Sequence, residues 1–154
     1  MDEPEVNAEG FRVSVEDDPP PADEKAVVQG LVGFNDGRVE REGWRRLAVL
    51  VRGDGGSLAG GLLGFTHWNW LFVSHVWLPE ALRGRGLGRE LLLRAEREAL
   101  ARGCRHAHLD TFSFQARGFY ESLGYEVFGA LEEFPPGHTR FFLRKMDLGA
   151  GPPD

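Results

Sequence analysis

Leu78-Pro79-Glu80-Ala81-Leu82-Arg83-Gly84-Arg85-Gly86-Leu87-Gly88-Arg89 joins an apolar stretch to a long, strongly helical one. Gly84, Gly86 and Gly88 let backbone N–H groups come close to an anion, and the following helix points its positive end at the same spot. Arg83, Arg85 and Arg89 add guanidinium groups that form forked contacts with phosphate. The junction reads as a phosphate cradle. Two familiar phosphate motifs are excluded. A dinucleotide-binding fingerprint would need a third glycine where the chain has Arg89, and a P-loop needs a Gly-Lys-Ser/Thr run that the chain lacks. The remaining pattern is Arg-x-x-Gly-x-Gly, from Arg83 to Gly88.

Outward from the cradle, the hydrophobic pattern lays out the elements. Upstream, Trp70 to Leu78 is a strand rich in large apolar residues, Leu58 to Thr66 and Leu47 to Val51 are two more, and Gly53-Asp54-Gly55-Gly56 is the hairpin turn between them. Residues 38–46 read as a connector. Ala22 to Phe34 places Val27, Val28, Leu31 and Phe34 on one helical face, and Phe11, Val13 and Val15 alternate as a half-buried strand. Downstream, a helix runs from about Gly86 to Arg102, with Leu87, Leu91, Ala95 and Ala99 on one face and Gly103 as its left-handed stop. His106 to Leu109 is a strand, Ala116 to Leu123 a short helix, and Tyr125–Glu133 and Thr139–Met146 a last hairpin across Phe134-Pro135-Pro136-Gly137. The order is β-α-β-β-β-α-β-α-β-β, an α/β class with a mixed sheet and no internal repeats.

The short helix carries a second motif, Ala116-Arg117-Gly118-Phe119-Tyr120-Glu121-Ser122-Leu123-Gly124-Tyr125. Together the two segments resemble the GNAT superfamily of acyl-CoA-dependent N-acyltransferases. The cradle is similar to its pyrophosphate loop, and the second segment to its Ala-x-x-hydrophobic-Tyr-x-x-x-Gly-aromatic pattern. Order, spacing and intervening elements agree over residues 11–147, nearly the whole chain. The resemblance implies a single α/β (α+β) domain over 11–147, after an acidic segment 1–10 and before a flexible tail 148–154. Its sheet would be mixed but mostly antiparallel, flanked by helices and splayed between the two central strands. A second N-terminal helix, common in the family, would have to come from residues 36–46, or they remain a loop.

The same resemblance implies acetyl-CoA as cosubstrate. Arg83, Gly84, Arg85, Gly86, Leu87, Gly88 and Arg89 would hold its pyrophosphate, and the backbone of Val76, Trp77 and Leu78 its pantetheine arm. An N–H near Trp77 or Leu78 would serve as oxyanion donor. Pro79 has no N–H to offer a ladder, so the strand is expected to end or bulge there and open the splay. Tyr120 matches the family tyrosine beside the departing sulfur and is the candidate general acid; Tyr125 is assigned to the core. Ser113 stands where the family often has a CoA-contacting asparagine, a departure for which Gln115 is the nearest amide. The activity implied is transfer of acetyl to a primary amine by direct attack, with a small molecule favoured over a protein. A non-catalytic acyl-CoA-binding module of the same fold is the alternative.

No general base stands out. His75, Asp110 and His138 are placed to face the splay, although Asp110 equally fits a cap of the next turn and His75 an ordinary buried histidine. Trp68 and Trp70, in His67-Trp68-Asn69-Trp70, offer aromatic walls for a cationic or planar acceptor, or core filling. Asn35 is expected to border the acceptor region. His106 and His108 share a strand face without a third ligand at a supporting spacing, so no metal is expected. Cys104, the chain's one cysteine, forms no internal disulfide and reads as an inert thiol.

Composition agrees. With 154 residues, 42% of them hydrophobic, the chain is long enough for one real core and too short for two full domains. The net charge is −6, but residues 1–24 hold nine acidic side chains and one arginine, leaving +2 for the remainder. That distribution argues against a nucleic-acid partner and allows one local basic pocket. Met1-Asp2-Glu3-Pro4 lacks the parts of a signal peptide and no apolar run approaches a membrane span, so a cytoplasmic protein without a membrane partner is expected. Edge strands near the C-terminal hairpin leave a homodimer open.

Overall fold

The computed structural model describes residues 9–150. They fall into two compact units, one ending at Arg41 and the other beginning at Glu42. The first contains helix α1 (Pro21–Asp36). Proline at the first helical position costs no hydrogen bond, and Asp23 and Glu24 place negative charge in the first turn. The helix ends where the Arg38 and Val39 N–H groups both donate to the Asn35 carbonyl, at 2.9 and 3.0 Å. The strand expected over Phe11–Val15 does not form. Only an isolated bridge occurs at Arg12, and Phe11, Val13 and Val15 are exposed. Alternation says which face a strand would bury but supplies no partner strand.

The second unit is a six-stranded sheet. Its elements are β1 (Arg45–Arg52), β2 (Leu58–His67), β3 (Trp70–Trp77), α2 (Leu87–Ala101), β4 (His106–Phe112), α3 (Arg117–Ser122), β5 (Glu126–Glu132) and β6 (Thr139–Lys145). The strand order is β1-β2-β3-β4-β6-β5. Every pairing is antiparallel except β3–β4, which α2 connects as a parallel crossover. Residues 37–44 contain no second helix. Trp68 and Asn69 form the two-residue β2–β3 turn, both with positive φ (42° and 64°), as a hairpin twisted with its strands requires.

One face of the sheet packs on α2. Leu62, Leu71, Val73, Ala107, Leu109 and Leu143 bury against Leu91, Ala95 and Ala99 of the expected stripe and against Leu92, which lies outside it, while Leu87 is only half-buried. Tyr125 is 3% exposed and belongs to this core, as expected. Leu148, placed by the sequence in a flexible tail, is also buried, and its N–H donates to the Arg105 carbonyl at 2.7 Å. Residues 151–154 and most of the acidic segment 1–10 lie outside the described residues. No described helix is long and apolar enough to cross a membrane.

Inside the core, Lys145 of β6 pairs with Glu96 of α2 at 2.6 Å, their side chains 5% and 6% exposed. The Tyr125 hydroxyl donates to the other Glu96 oxygen at 3.4 Å. A buried pair is costly to break because the surviving charge has no water to solvate it. Lys145→Met should lower stability by about 3–5 kcal/mol in urea unfolding, and adding Glu96→Leu should recover most of that loss.

Candidate active site

The sheet is open at its centre. β3 and β4 pair only from Trp70↔His106 to Val73↔Leu109, although β3 continues to Trp77 and β4 to Phe112. This is the expected splay, but its origin lies earlier than Pro79. The register between β2 and β3 passes from Gly64↔Val73 to Leu63↔His75 and leaves Ser74 as an extra residue. A bulge bends and twists its strand, which turns the end of β3 away from β4. It also shifts the side-chain phase. Leu71 and Val73 face the core before it, and Val76 and Leu78 pack against the core after it. Gly64 makes the bulge possible, since a Cβ there would sit 2.2 Å from the Phe72 carbonyl oxygen.

The cradle lies at the end of β3 on the α2 side. Gly84 and Gly86 have φ of 71° and 81°, with nothing within 4 Å of where a Cβ would stand. Gly86 caps α2 without any side-chain partner. The first helical bond is Glu90 N–H to the Gly86 carbonyl at 3.0 Å, so the amides of Leu87, Gly88 and Arg89 point out of the helix without an intrahelical acceptor. Arg85 and Arg89 are exposed and make no ion pair among the described residues. Arg83 differs from expectation. Its Nε donates to the Leu78 carbonyl at 2.9 Å, so it braces the loop on the strand end as well as adding charge. The free amides, the helix N-terminus and two unpaired guanidiniums fit a pyrophosphate.

Helix α3 stands beside this cradle. A Cβ on Gly88 would meet the Phe119 ring at 3.2 Å and Leu78 at 3.9 Å, so strand end, cradle and α3 converge. The neighbouring Tyr120 packs on the core with its ring 5.1 Å from Phe119 and 6.2 Å from Tyr125. Its hydroxyl has no hydrogen-bond partner among the described residues. Burial, and then the Asp110 carboxylate, push the Tyr120 phenol above its ordinary value and keep its proton in place.

The opposite face of the sheet borders the same opening. His75 pairs with Leu63, which is exposed on that face, and its Nδ1 lies 2.9 Å from Ser74 Oγ. Asp110 lies within β4, one residue past the last β3–β4 pair, and does not cap the next turn. Arg140 of β6 holds it through Nε at 2.9 Å and an amino group at 2.8 Å. The turn after β4 is closed by Gln115 instead, whose Oε1 accepts from Thr111 Oγ1 and the Phe112 N–H. Ser113 is likewise occupied, with Oγ 3.1 Å from His138 Nδ1 and accepting the Thr139 N–H at 3.1 Å. Sequence reading missed Ser74, Arg140 and Phe112. The phase change between Val73 and Val76 signals the first, whereas Arg140 carries no local motif.

Trp68 and Trp70 are not brought to the opening. They flank the hairpin at the start of β3, some 20–25 Å of strand away from its open end. Trp70 lines an open hollow of about 300 Å³ with His108, Phe128 and Arg144. Burial, with His67 nearby, lowers the His108 pKa and favours its neutral form. His106 takes the Asp147 N–H on Nδ1 at 3.0 Å, and among the described residues no three ligand-type side chains converge. Asn35 ends α1 in the first unit. Cys104 is buried and its thiol pKa is raised by that burial. It should react with an aromatic disulfide reagent only after denaturant is added; rapid labelling of the folded chain would contradict this.

Comparison with known proteins gives the same picture. The profile of the Acetyltransferase (GNAT) family matches residues 15–125. An acetyltransferase of Agrobacterium fabrum is 38% identical over 122 residues, 79% of this chain and 89% of the relative. The blasticidin-S acetyltransferase of Streptomyces morookaense is 43% identical over 99 residues, 64% of this chain and 73% of the relative. A crystal structure from Agrobacterium tumefaciens superposes with a TM-score of 0.83 at 35% identity, covering 88% of this chain and 99% of the other.

Proposed function

This chain belongs to the GNAT family of acetyltransferases, and from that premise we propose that it moves acetyl from acetyl-CoA to a primary amine of a small molecule. The observation that carries the proposal is the loss of β3–β4 pairing after Val73, immediately ahead of a cradle with two unpaired arginines. Bound acetyl-CoA supplies a thioester-activated acyl carbon and a thiolate leaving group. Arg85, Arg89 and the amides of residues 87–89 hold the pyrophosphate. The unpaired edge of Val76–Leu78 offers backbone groups to the pantetheine arm and an N–H to the carbonyl oxygen. Tyr120 keeps its proton and presents it to sulfur. The name of the Streptomyces morookaense relative supports a small-molecule acceptor over a protein.

Acetyl-CoA should raise the melting temperature of the wild type, CoA should do so too, and Gly86→Asp, which puts bulk and negative charge into the cradle, should abolish both shifts. No shift in the wild type would remove the cosubstrate assignment. An amine screen with blasticidin S as its first member then tests the acceptor class.

Tyr120→Phe should lower kcat about 100-fold while leaving acetyl-CoA affinity unchanged. Because the folded environment raises the Tyr120 pKa above 10.0, the wild type should show no falling alkaline limb in kcat below that pH. A limb below it, or an unaffected Phe variant, would remove the acid role.

A further inference from the structure

We propose that His75 takes the proton from the attacking amine, and that the bulged Ser74 is the positioning residue that keeps His75 Nε2 free to do so; this rests on the acetyl transfer proposed above. The hydrogen bonds at the bulge fix the tautomer. Ser74 Oγ donates to the Leu63 carbonyl at 3.0 Å, and a carbonyl only accepts, so the single hydroxyl proton is committed there. The same oxygen lies 2.9 Å from His75 Nδ1 and offers it only a lone pair. Nδ1 must therefore carry the ring proton. In a neutral imidazole this leaves Nε2 with an unshared pair, and no described residue hydrogen-bonds it.

The fold puts that pair on the acceptor side. Successive residues of a regular strand point to opposite faces, but the bulge suspends alternation and lets adjacent Ser74 and His75 meet. His75 lies two residues beyond Val73, where pairing with β4 stops, on the face opposite α2. Tyr120 packs on the α2 side. The other candidates are engaged: Arg140 holds Asp110, and Ser113 holds the Nδ1 of His138. The titratable groups on this face of the flanking strands are His67 of β2 and His106, His108 and Asp110 of β4, the last neutralised by Arg140. His75 takes up the proton the amine sheds as its N–C bond forms and the thioester C–S bond breaks. Tyr120 presents its phenol proton to the sulfur, which leaves with the electron pair of the broken C–S bond.

The test combines ring nitrogen NMR with kinetics on the full chain. With histidine labelled in the ring and His75→Gln used for assignment, the wild type should show a protonated Nδ1 and an unprotonated Nε2 at His75. Ser74→Ala should lose that preference and Ser74→Thr, which restores a hydroxyl, should keep it. A protonated Nε2 in the neutral wild-type ring overturns the proposal. With blasticidin S, or whichever amine the screen identifies, His75→Gln should lower kcat/KM about 100-fold, with the acetyl-CoA thermal shift unchanged. An unchanged rate overturns the base role. Failure of the wild type to take up acetyl-CoA overturns the transfer reading and the base role together, whereas a normal shift with Nε2 protonated overturns the base role alone.

Discussion

One extra residue in β3 sets the geometry of everything around the opening. Without Ser74 in the bulge, strand alternation from Leu71 and Val73 would put His75 and Trp77 on the core side and turn Val76 and Leu78 out. With it, Val76 and Leu78 stay packed below while the strand bends away from β4. The ladder then ends at Val73 and Leu109, and backbone groups that a continuous parallel pair would consume are left open. The constraint reaches into β2 as well, because only glycine at position 64 tolerates the approach of the Phe72 carbonyl. A local count of residues is thereby converted into an opening through the middle of a sheet.

That opening gives the two faces different chemistry. On the α2 side, the helix N-terminus, Arg85 and Arg89 present uncompensated positive charge. Phe119 against Gly88 fixes α3 to the first turn of α2, so Tyr120 is held by packing and not by a hydrogen bond to its hydroxyl. Burial, and then the Asp110 carboxylate, raise the Tyr120 pKa, which favours the phenol over the phenolate. Acetyl transfer needs an amine to reach a thioester carbon from one side of the plane of its carbonyl group, and a sheet opened between two strands leaves room for that approach.

Much of this was legible in the residue order. The cradle at 83–89, most of the buried stripe of α2 and the Tyr120 segment are local patterns, and each element from α1 onward fell within a few residues of its expected place. Phe11–Val15 was misread because a strand also needs an edge to pair with, which its own residues do not contain. Trp68 and Trp70 were read by chemistry without regard to which end of β3 they occupy. The bulge was visible as the shift from odd to even core positions between Val73 and Val76, yet proline drew the reading to position 79. The Asp110–Arg140 and Glu96–Lys145 pairs span 30 and 49 residues, and no spacing rule connects partners that far apart.

The Asp110–Arg140 pair also sets the charge of this face of the sheet. Arg140 lies over the rings of Phe112, Phe134 and Phe142 at 5.6, 5.0 and 5.2 Å while it neutralises Asp110. Phe114 and Phe134 each stack on Phe112, at 5.4 and 5.9 Å and nearly parallel. The result is a wall of aromatic faces around a charge that is already paired. Within that wall the Asp110 carboxylate is already spent on Arg140, so it offers a further cation little Coulombic return.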